Sequence, residues 1–303
     1  MKIFITGGTG FVGTTLTRVL GEHGHDLTLL KRPGESPGTI PGQATVIEAD
    51  PTIPGPWQAR AAEADTIINL AGASIFSRWS EAMKKTLRDS RILTTRNLVQ
   101  AMAERGGRPA TLLSTSAVGY YGFHGDELLT ETDPPGTDFL ANLAVDWETE
   151  ALAARNFGVR VVILRFGIVL GRQGGALGQM LPLFRFGLGS PLGTGRQWFS
   201  WIHEADLARI YLHLLERTDL EGPVNCTAPE PVQNRVFTSV LGKALRRPTF
   251  LPPVPGFMMR LVLGEFGDVL LQGQRAVPSK LLQSGFTFHF PTVAEALGDL
   301  VGS

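Results

Sequence analysis

One cysteine, Cys226, occurs in 303 residues. A single thiol closes no disulfide within the chain and builds no cysteine metal site. A reducing cytoplasm is therefore the expected compartment, and Cys226 reads as a small core residue at a strand end. The six histidines are scattered, without metal-ligand spacing to carboxylates, so no metal is expected. No run of about 18 apolar residues exists, so no membrane span is expected. The N-terminal apolar stretch is only a strand long and is interrupted by glycines, unlike a signal peptide. Lys plus Arg equal Asp plus Glu at 28 each. That balance argues against a nucleic-acid or membrane surface, although a neutral total can hide a local basic patch. Internal repeats and heptads are also lacking.

Apolar residues, by contrast, are plentiful. They make up 43% of the chain against 18% charged, enough for a large core. The length suits one large α/β domain with an appended lobe, or two domains. Met1 to Arg32 reads as strand, glycine-rich turn, helix and second strand. The turn is Thr6-Gly7-Gly8-Thr9-Gly10-Phe11-Val12-Gly13. Gly7 permits a sharp turn at the strand end, Gly10 lets backbone approach a pyrophosphate, and Gly13 lets the helix lie close on the sheet. The helix N-terminus then faces the phosphates. Gly7, Thr9, Gly10, Phe11, Val12 and Gly13 are accordingly candidate dinucleotide-binding residues.

Strands and helices alternate up to residue 165. Strands are expected at 45–50, 66–70, 111–115 and 159–164, and helices at 81–105 and 138–156. This pattern predicts an α/β, Rossmann-type doubly wound parallel sheet with a smaller, mostly helical C-terminal substrate lobe. The expected division is 1–165, with 204–228 returning to it, against a lobe of 166–203 and 229–303. Gly174 to Gly195 carries seven glycines interleaved with apolar residues and reads as irregular. Trp198 to Ile202 reads as one strand, and the tail is helix-rich. Ligands in such sheets bind beyond the carboxyl ends of the strands.

Several residues stand there. Lys31 and Arg32 end the second strand where an NAD-specific fold usually carries an acid. Two cations suit a 2′-phosphate and favour NADP(H), the alternative being solvated surface charges. Asp50 either receives the adenine amino group or caps its loop. Asn69-Leu70-Ala71-Gly72 offers a close wall for a nucleotide. Ser114, Ser116, Tyr120 and Tyr121 cluster after the fifth strand. Ser116 and the two phenols are candidate catalytic groups for a carbonyl or alcohol, or turn hydroxyls bonded to backbone. His203 reads as structural, and Asp206 is accounted for by a helix dipole.

Together, Thr6–Gly13, Asn69–Gly72, Ser114-Thr-Ser116 followed by Tyr-Gly, Leu164-Arg-Phe-Gly-Ile-Val-Leu-Gly171 and Phe199-Ser-Trp-Ile-His203 resemble an extended short-chain dehydrogenase/reductase. Ser90-Arg91, Asp146-Trp-Glu148, Gly187–Gly193 and Leu271-Gln-Gly-Gln-Arg275 resemble, more narrowly, its atypical "epimerase family" group of unknown substrate. The resemblance places Ser116 at the family serine. It places Leu140 and Ala144 where the tyrosine and lysine of Tyr-x-x-x-Lys belong, and Arg91 at the upstream asparagine. Neither Leu140 nor Ala144 transfers a proton, so the cofactor site carries over and the usual relay does not. Arg91 is then a candidate for the cofactor ribose or phosphate and too basic to be a general base. The resemblance implies an NADP(H)-dependent oxidoreductase or epimerase acting on a small-molecule substrate, such as a nucleotide-sugar or small carbonyl compound. That substrate would lie between 174–195 and the cofactor. A non-catalytic NADP(H)-binding sensor or interaction protein is the alternative. The oligomeric state is left open, a homodimer being one form it can take.

Overall fold

The computed structural model describes residues 1–35, 44–108, 110–172 and 174–302. A stretch dense in Pro and Gly, Pro33–Gly42, lies from residue 36 onward outside the described residues. The first half runs β1 (Lys2–Thr6), α1 (Phe11–Glu22), β2 (Asp26–Lys31), β3 (Thr45–Glu48), α2 (Trp57–Glu63), β4 (Thr66–Asn69), α3 (Glu81–Ala103) and β5 (Thr111–Ala117). A 3-10 turn (Val118–Tyr121) and β6 (Leu128–Leu129) precede α4 (Phe139–Leu152) and β7 (Arg160–Phe166). Then come β8 (Ile168–Gly171), α5 (Gly175–Arg185), β9 (Trp198–Phe199), β10 (Trp201–His203), α6 (Glu204–Glu216), β11 (Gly222–Cys226), β12 (Val232–Gln233) and α7 (Asn234–Ala244). The tail adds α8 (Gly256–Leu263), α9 (Phe266–Leu271), β13 (Arg275–Ala276), α10 (Ser279–Gln283) and α11 (Val293–Val301).

Seven strands form one parallel sheet in the order β11-β7-β5-β4-β1-β2-β3. Alternation along β1 sends Ile3 and Ile5 to one face, with Leu16 of α1 and Leu207 of α6. Phe4 goes to the other face, with Trp57 of α2 and Leu98 of α3. Both faces are thus covered by helices, as a parallel sheet requires. The strand order reverses at β1, which pairs with both β2 and β4. Ligand crevices open at such a switch point.

A third core joins Leu170, Leu177, Trp201 and Phe237 to Leu297 of the tail. Its helix α5 corrects the irregular reading of the glycine-rich run. Leu177, Leu181 and Phe184 recur at helical spacing and are buried, and that apolar stripe outweighs the low helix propensity of glycine. The single strand expected at 198–202 is likewise divided. Trp198–Phe199 pairs antiparallel with β12, and Trp201–His203 pairs parallel with β8. Ser200 makes the break: its buried hydroxyl donates to the Gln274 carbonyl (2.7 Å) and accepts from the Ala276 amide (3.0 Å). Among the described residues no helix is long and apolar enough to cross a membrane.

Candidate functional site

The glycine turn lies at the switch point. Gly7 has φ +71°, and a Cβ there would stand 2.9 Å from the Leu70 carbonyl carbon. The turn therefore presses on the exit of β4. A Cβ on Gly13 would stand 2.1 Å from the Gly7 oxygen, so Gly13 seats α1 on the turn itself. Gly10 is the N-cap of α1. It makes no side-chain cap, and no acid stands in the first turn. Backbone N–H groups and the positive helix end are left for an anion. A pyrophosphate fits this cradle, since among the described residues no side chain caps the helix start and no acid stands in its first turn.

The flanking candidates have separate fates. The Phe11 ring is wedged against Gly171, Gly174 and Gly175, where added Cβ atoms would approach it to 2.6–2.8 Å. Val12, within α1, packs on the core around Ile3, Ile5 and Leu16. Both residues stand in the first turn of α1, whose start carries no side-chain cap. Thr9 sits half-buried in the turn. Lys31 is buried, pairs with Glu48 at 2.5 Å and donates to the Glu35 carbonyl at 2.8 Å. Arg32 is exposed and donates through Nε to Glu35 at 2.7 Å. The two cations thus differ: Lys31 is held within the fold, and Arg32 faces solvent. Asp50 accepts from the Thr52 amide (2.9 Å) and hydroxyl (2.7 Å), which is the loop-capping arrangement.

At the ends of β1, β4 and β5, Thr6, Asn69 and Ser114 share one register row. Asn69 is buried, accepts from Thr6 (2.8 Å) and donates to Thr95 (2.9 Å) and Ser114 (3.5 Å). This fixes the strand end from which Leu70, Ala71 and Gly72 leave. Arg91 lies against Gly72, whose Cβ would stand 3.1 Å from the guanidinium carbon. It donates to the carbonyls of Leu87 (3.0 Å) and Ala73 (3.1 Å) and stacks on Trp147. Burial lowers its pKa to about 10, so it remains a cation at neutral pH. Among the described residues no carboxylate pairs with it.

Ser116, Tyr121 and Tyr120 meet behind this wall. Ser116 donates to Glu148 (2.7 Å), which also takes a two-pronged bond from Arg165 (2.9 and 2.8 Å). Arg165 donates to the Tyr121 hydroxyl (3.0 Å), and that hydroxyl donates to Asn225 (2.7 Å). Burial pushes the Tyr121 phenol up to about 12. Ser116 and Tyr121 are fully buried, so the structure places both in a closed network rather than at an open surface. Tyr120 is half-buried, its ring 3.4 Å from the Arg165 guanidinium. Arg165, Glu148 and Asn225 were not among the candidates. Arg165 stood out as a charge ending an apolar run and as part of Leu164-Arg-Phe-Gly, and Glu148 as part of Asp146-Trp-Glu148, whereas Asn225 carried no signal. The relay positions are apolar: Ala144 is buried, and Leu140 packs with Trp79, Leu263 and Phe266 under the tail.

A cavity of about 370 Å³ opens past β5, lined by Phe123, His124, Asp126, Arg196, Gln197, Trp198 and Gln272 among others. The Trp198 indole donates to Asp126 (2.7 Å), and Arg275 stacks on its ring. His203 and Asp206 are structural, in keeping with their reading. His203 accepts from the Ala205 amide, and Asp206 takes the amides of His289 (2.8 Å) and Phe290 (2.9 Å).

A glycine cradle under a bare helix end, at the switch point of a parallel sheet, defines a dinucleotide-binding protein of the extended short-chain dehydrogenase/reductase fold. The chain belongs to the NAD dependent epimerase/dehydratase family, whose model matches residues 3–226. A second model, a domain of unknown function (DUF1731), matches residues 254–300. The epimerase family protein MT2273 of Mycobacterium tuberculosis is 43% identical over 98% of this chain and 96% of its own length. Human epimerase family protein SDR39U1 is 37% identical over 99% of this chain and 100% of its own. The crystal structure of the human protein (isoform 2) with NADPH superposes with a TM-score of 0.87, at 35% identity over 99% of both chains.

Proposed function

We propose that this protein binds NADP(H) in the crevice between the glycine turn and the β4 exit and acts as an NADP(H)-dependent oxidoreductase or epimerase on a small molecule. The observation that carries the binding is the cradle at Gly7, Gly10 and Gly13, whose α1 N-terminus carries no internal cap or acid. The NADPH bound by the human relative supports the phosphorylated cofactor, as does Arg32 at the solvent edge of β2. When bound, the nicotinamide supplies or accepts a hydride. Arg91 supplies an unpaired cation beside Gly72 that suits a ribose or phosphate oxygen. The substrate, a nucleotide-sugar or small carbonyl compound, would enter the cavity lined by Arg196 and His124, which borders on the end of the 174–195 run where it was expected but is lined by none of its residues. Tyr120 is the phenol of its pair that is not sealed in. The Arg165 guanidinium lies over the face of its ring, and it is the candidate proton carrier in place of the missing relay.

A second reading, binding with little turnover, rests on Leu140 and Ala144 and on the tail residues packed against Leu140. Calorimetric titration of Arg32→Glu tests the cofactor. NADPH affinity should fall about tenfold with NADH affinity nearly unchanged, and equal losses would refute the role given to Arg32. NADPH oxidation in the presence of sugar nucleotides, quinones and aldehydes separates the two readings. Tight binding without turnover across that panel favours the second.

A further inference from the structure

The neutral total conceals an uneven distribution of charge. Residues 172–203 carry three arginines and no carboxylate. Residues 231–264 carry Arg235, Lys243, Arg246, Arg247 and Arg260, again with no carboxylate. These two stretches hold eight of the 28 cations and none of the 28 acids. They also lie together. The Ser190 hydroxyl donates to the Pro252 carbonyl (2.7 Å), and the Val254 amide donates to Pro191 (2.9 Å). The Gly193 amide donates to Val254 (2.9 Å), and a Cβ on Gly187 would touch Pro248 at 3.7 Å. Among the described residues Arg185, Lys243, Arg246 and Arg247 have no carboxylate partner, whereas Arg172 and Arg260 do.

The same edge exposes large apolar side chains. Phe186 and Phe250 are each 82% exposed, and Leu188 is 53% exposed. α8 begins two residues after Val254 and has no buried residue at all. It turns Leu263 inward to the cluster around Trp79, and leaves Phe257, Leu261 and Val262 at 69%, 74% and 66% exposure. Such a patch is larger than scattered surface apolars explain. Arg246 adds a separate mark. It is the one non-glycine residue at positive φ (+54°) among the described residues, just past the end of α7. Glycine is the favoured residue there, yet the strained site holds an exposed cation.

We infer that this edge is a docking surface for an anionic lipid bilayer, with the aromatic and aliphatic tips entering the headgroup region and the unpaired cations meeting lipid phosphates. Charge selects this occupant. A second copy docked about a two-fold axis would set these cations against their own images. A rigid protein partner would need a separate pocket for each projecting side chain. A bilayer interface accepts an exposed apolar helix and isolated phenylalanines as they stand, and its negative surface potential complements the arginines.

The test is vesicle co-sedimentation of the full chain at ~100 mM NaCl. Neutral phosphatidylcholine vesicles are compared with vesicles containing about 30 mol % phosphatidylglycerol. Binding to the anionic vesicles should exceed binding to the neutral ones by at least about tenfold. Phe250→Ser with Phe257→Ser, and separately Arg246→Gln with Arg247→Gln, should each reduce it by about tenfold with an unchanged far-UV spectrum. Leu261→Cys carrying a polarity-sensitive fluorophore should shift to the blue only with anionic vesicles. The native Cys226 is buried and does not compete for the label. Absence of binding, equal binding to both vesicle types, or binding that neither double variant weakens would overturn the inference. So would a dimer, seen by light scattering, that Phe250→Ser with Phe257→Ser dissociates, since that assigns the face to a second copy.

Discussion

The charge that matters most to the closed network is Glu148. It accepts from Ser116 and from both prongs of Arg165, and the side chains of the ion pair are 8% and 3% exposed. Removing one partner of a buried pair leaves the other charge without compensation, at a cost of about 3–5 kcal/mol. Ser116→Ala removes one donor and leaves the pair intact, for about 1–2 kcal/mol. In urea titrations Glu148→Gln should therefore lose clearly more stability than Ser116→Ala loses, by about twofold or more at the centres of those ranges. Similar losses would mean that the pair is not what anchors the network. Ser116 and Tyr121 were legible as hydroxyls at the end of a central strand. Their engagement with Glu148 and Asn225 was not, because both partners lie on other elements, 32 and 104 residues away. Lys31 and Arg32 show the same limit. Their position at the strand end was readable, but Glu48, which holds Lys31, arrives from the neighbouring strand.

Elements with one strong period were readable, and elements with mixed signals were not. β1, α1 and β2 carry alternation, a glycine turn and an apolar stripe that agree with one another. In α5 the glycines obscured the stripe, and at Ser200 only the distant Gln274 and Ala276 decide where one strand becomes two. The start of α6 joins the two halves of the chain. The His203 ring stacks on Phe290 at 3.9 Å and lies 3.3 Å from Asp299, both in the tail. Burial holds its pKa below the ordinary 6.5. The unfolded chain therefore takes up a proton that the folded one resists. Stability should be fully present above pH ~6.5 and fall as pH drops from there toward the lowered folded value. Thermal melts across that window should show the fall, and His203→Gln should flatten it. His25 and His213 are also lowered by burial, so part of the slope will remain. An unchanged slope in the variant would remove His203 from the account.

Over the whole molecule, Phe11 brings the cradle against the β8–α5 junction. It opens α1 above the proposed pyrophosphate site, yet its ring fills the space left by Gly171, Gly174 and Gly175. If backbone alone serves the cofactor there, stability and binding separate in Phe11→Ala. The vacated, partly buried wedge should cost about 2–3 kcal/mol, below the range for a fully buried phenylalanine. NADPH affinity should change by less than about threefold, since the amides at the start of α1 remain. Mass action supplies the measurement. At free NADPH about a hundredfold above Kd, the native protein should gain about 2.7 kcal/mol, or roughly 5 °C in Tm for a chain of this size. The variant should melt lower but gain nearly the same increment. A variant that melts like the native protein and gains nothing from NADPH would show that the Phe11 ring itself holds the nucleotide. A variant that loses both together would show that the cradle and the β8–α5 junction fold as one unit, with the junction's glycines as much a part of the cofactor site as Gly7, Gly10 and Gly13.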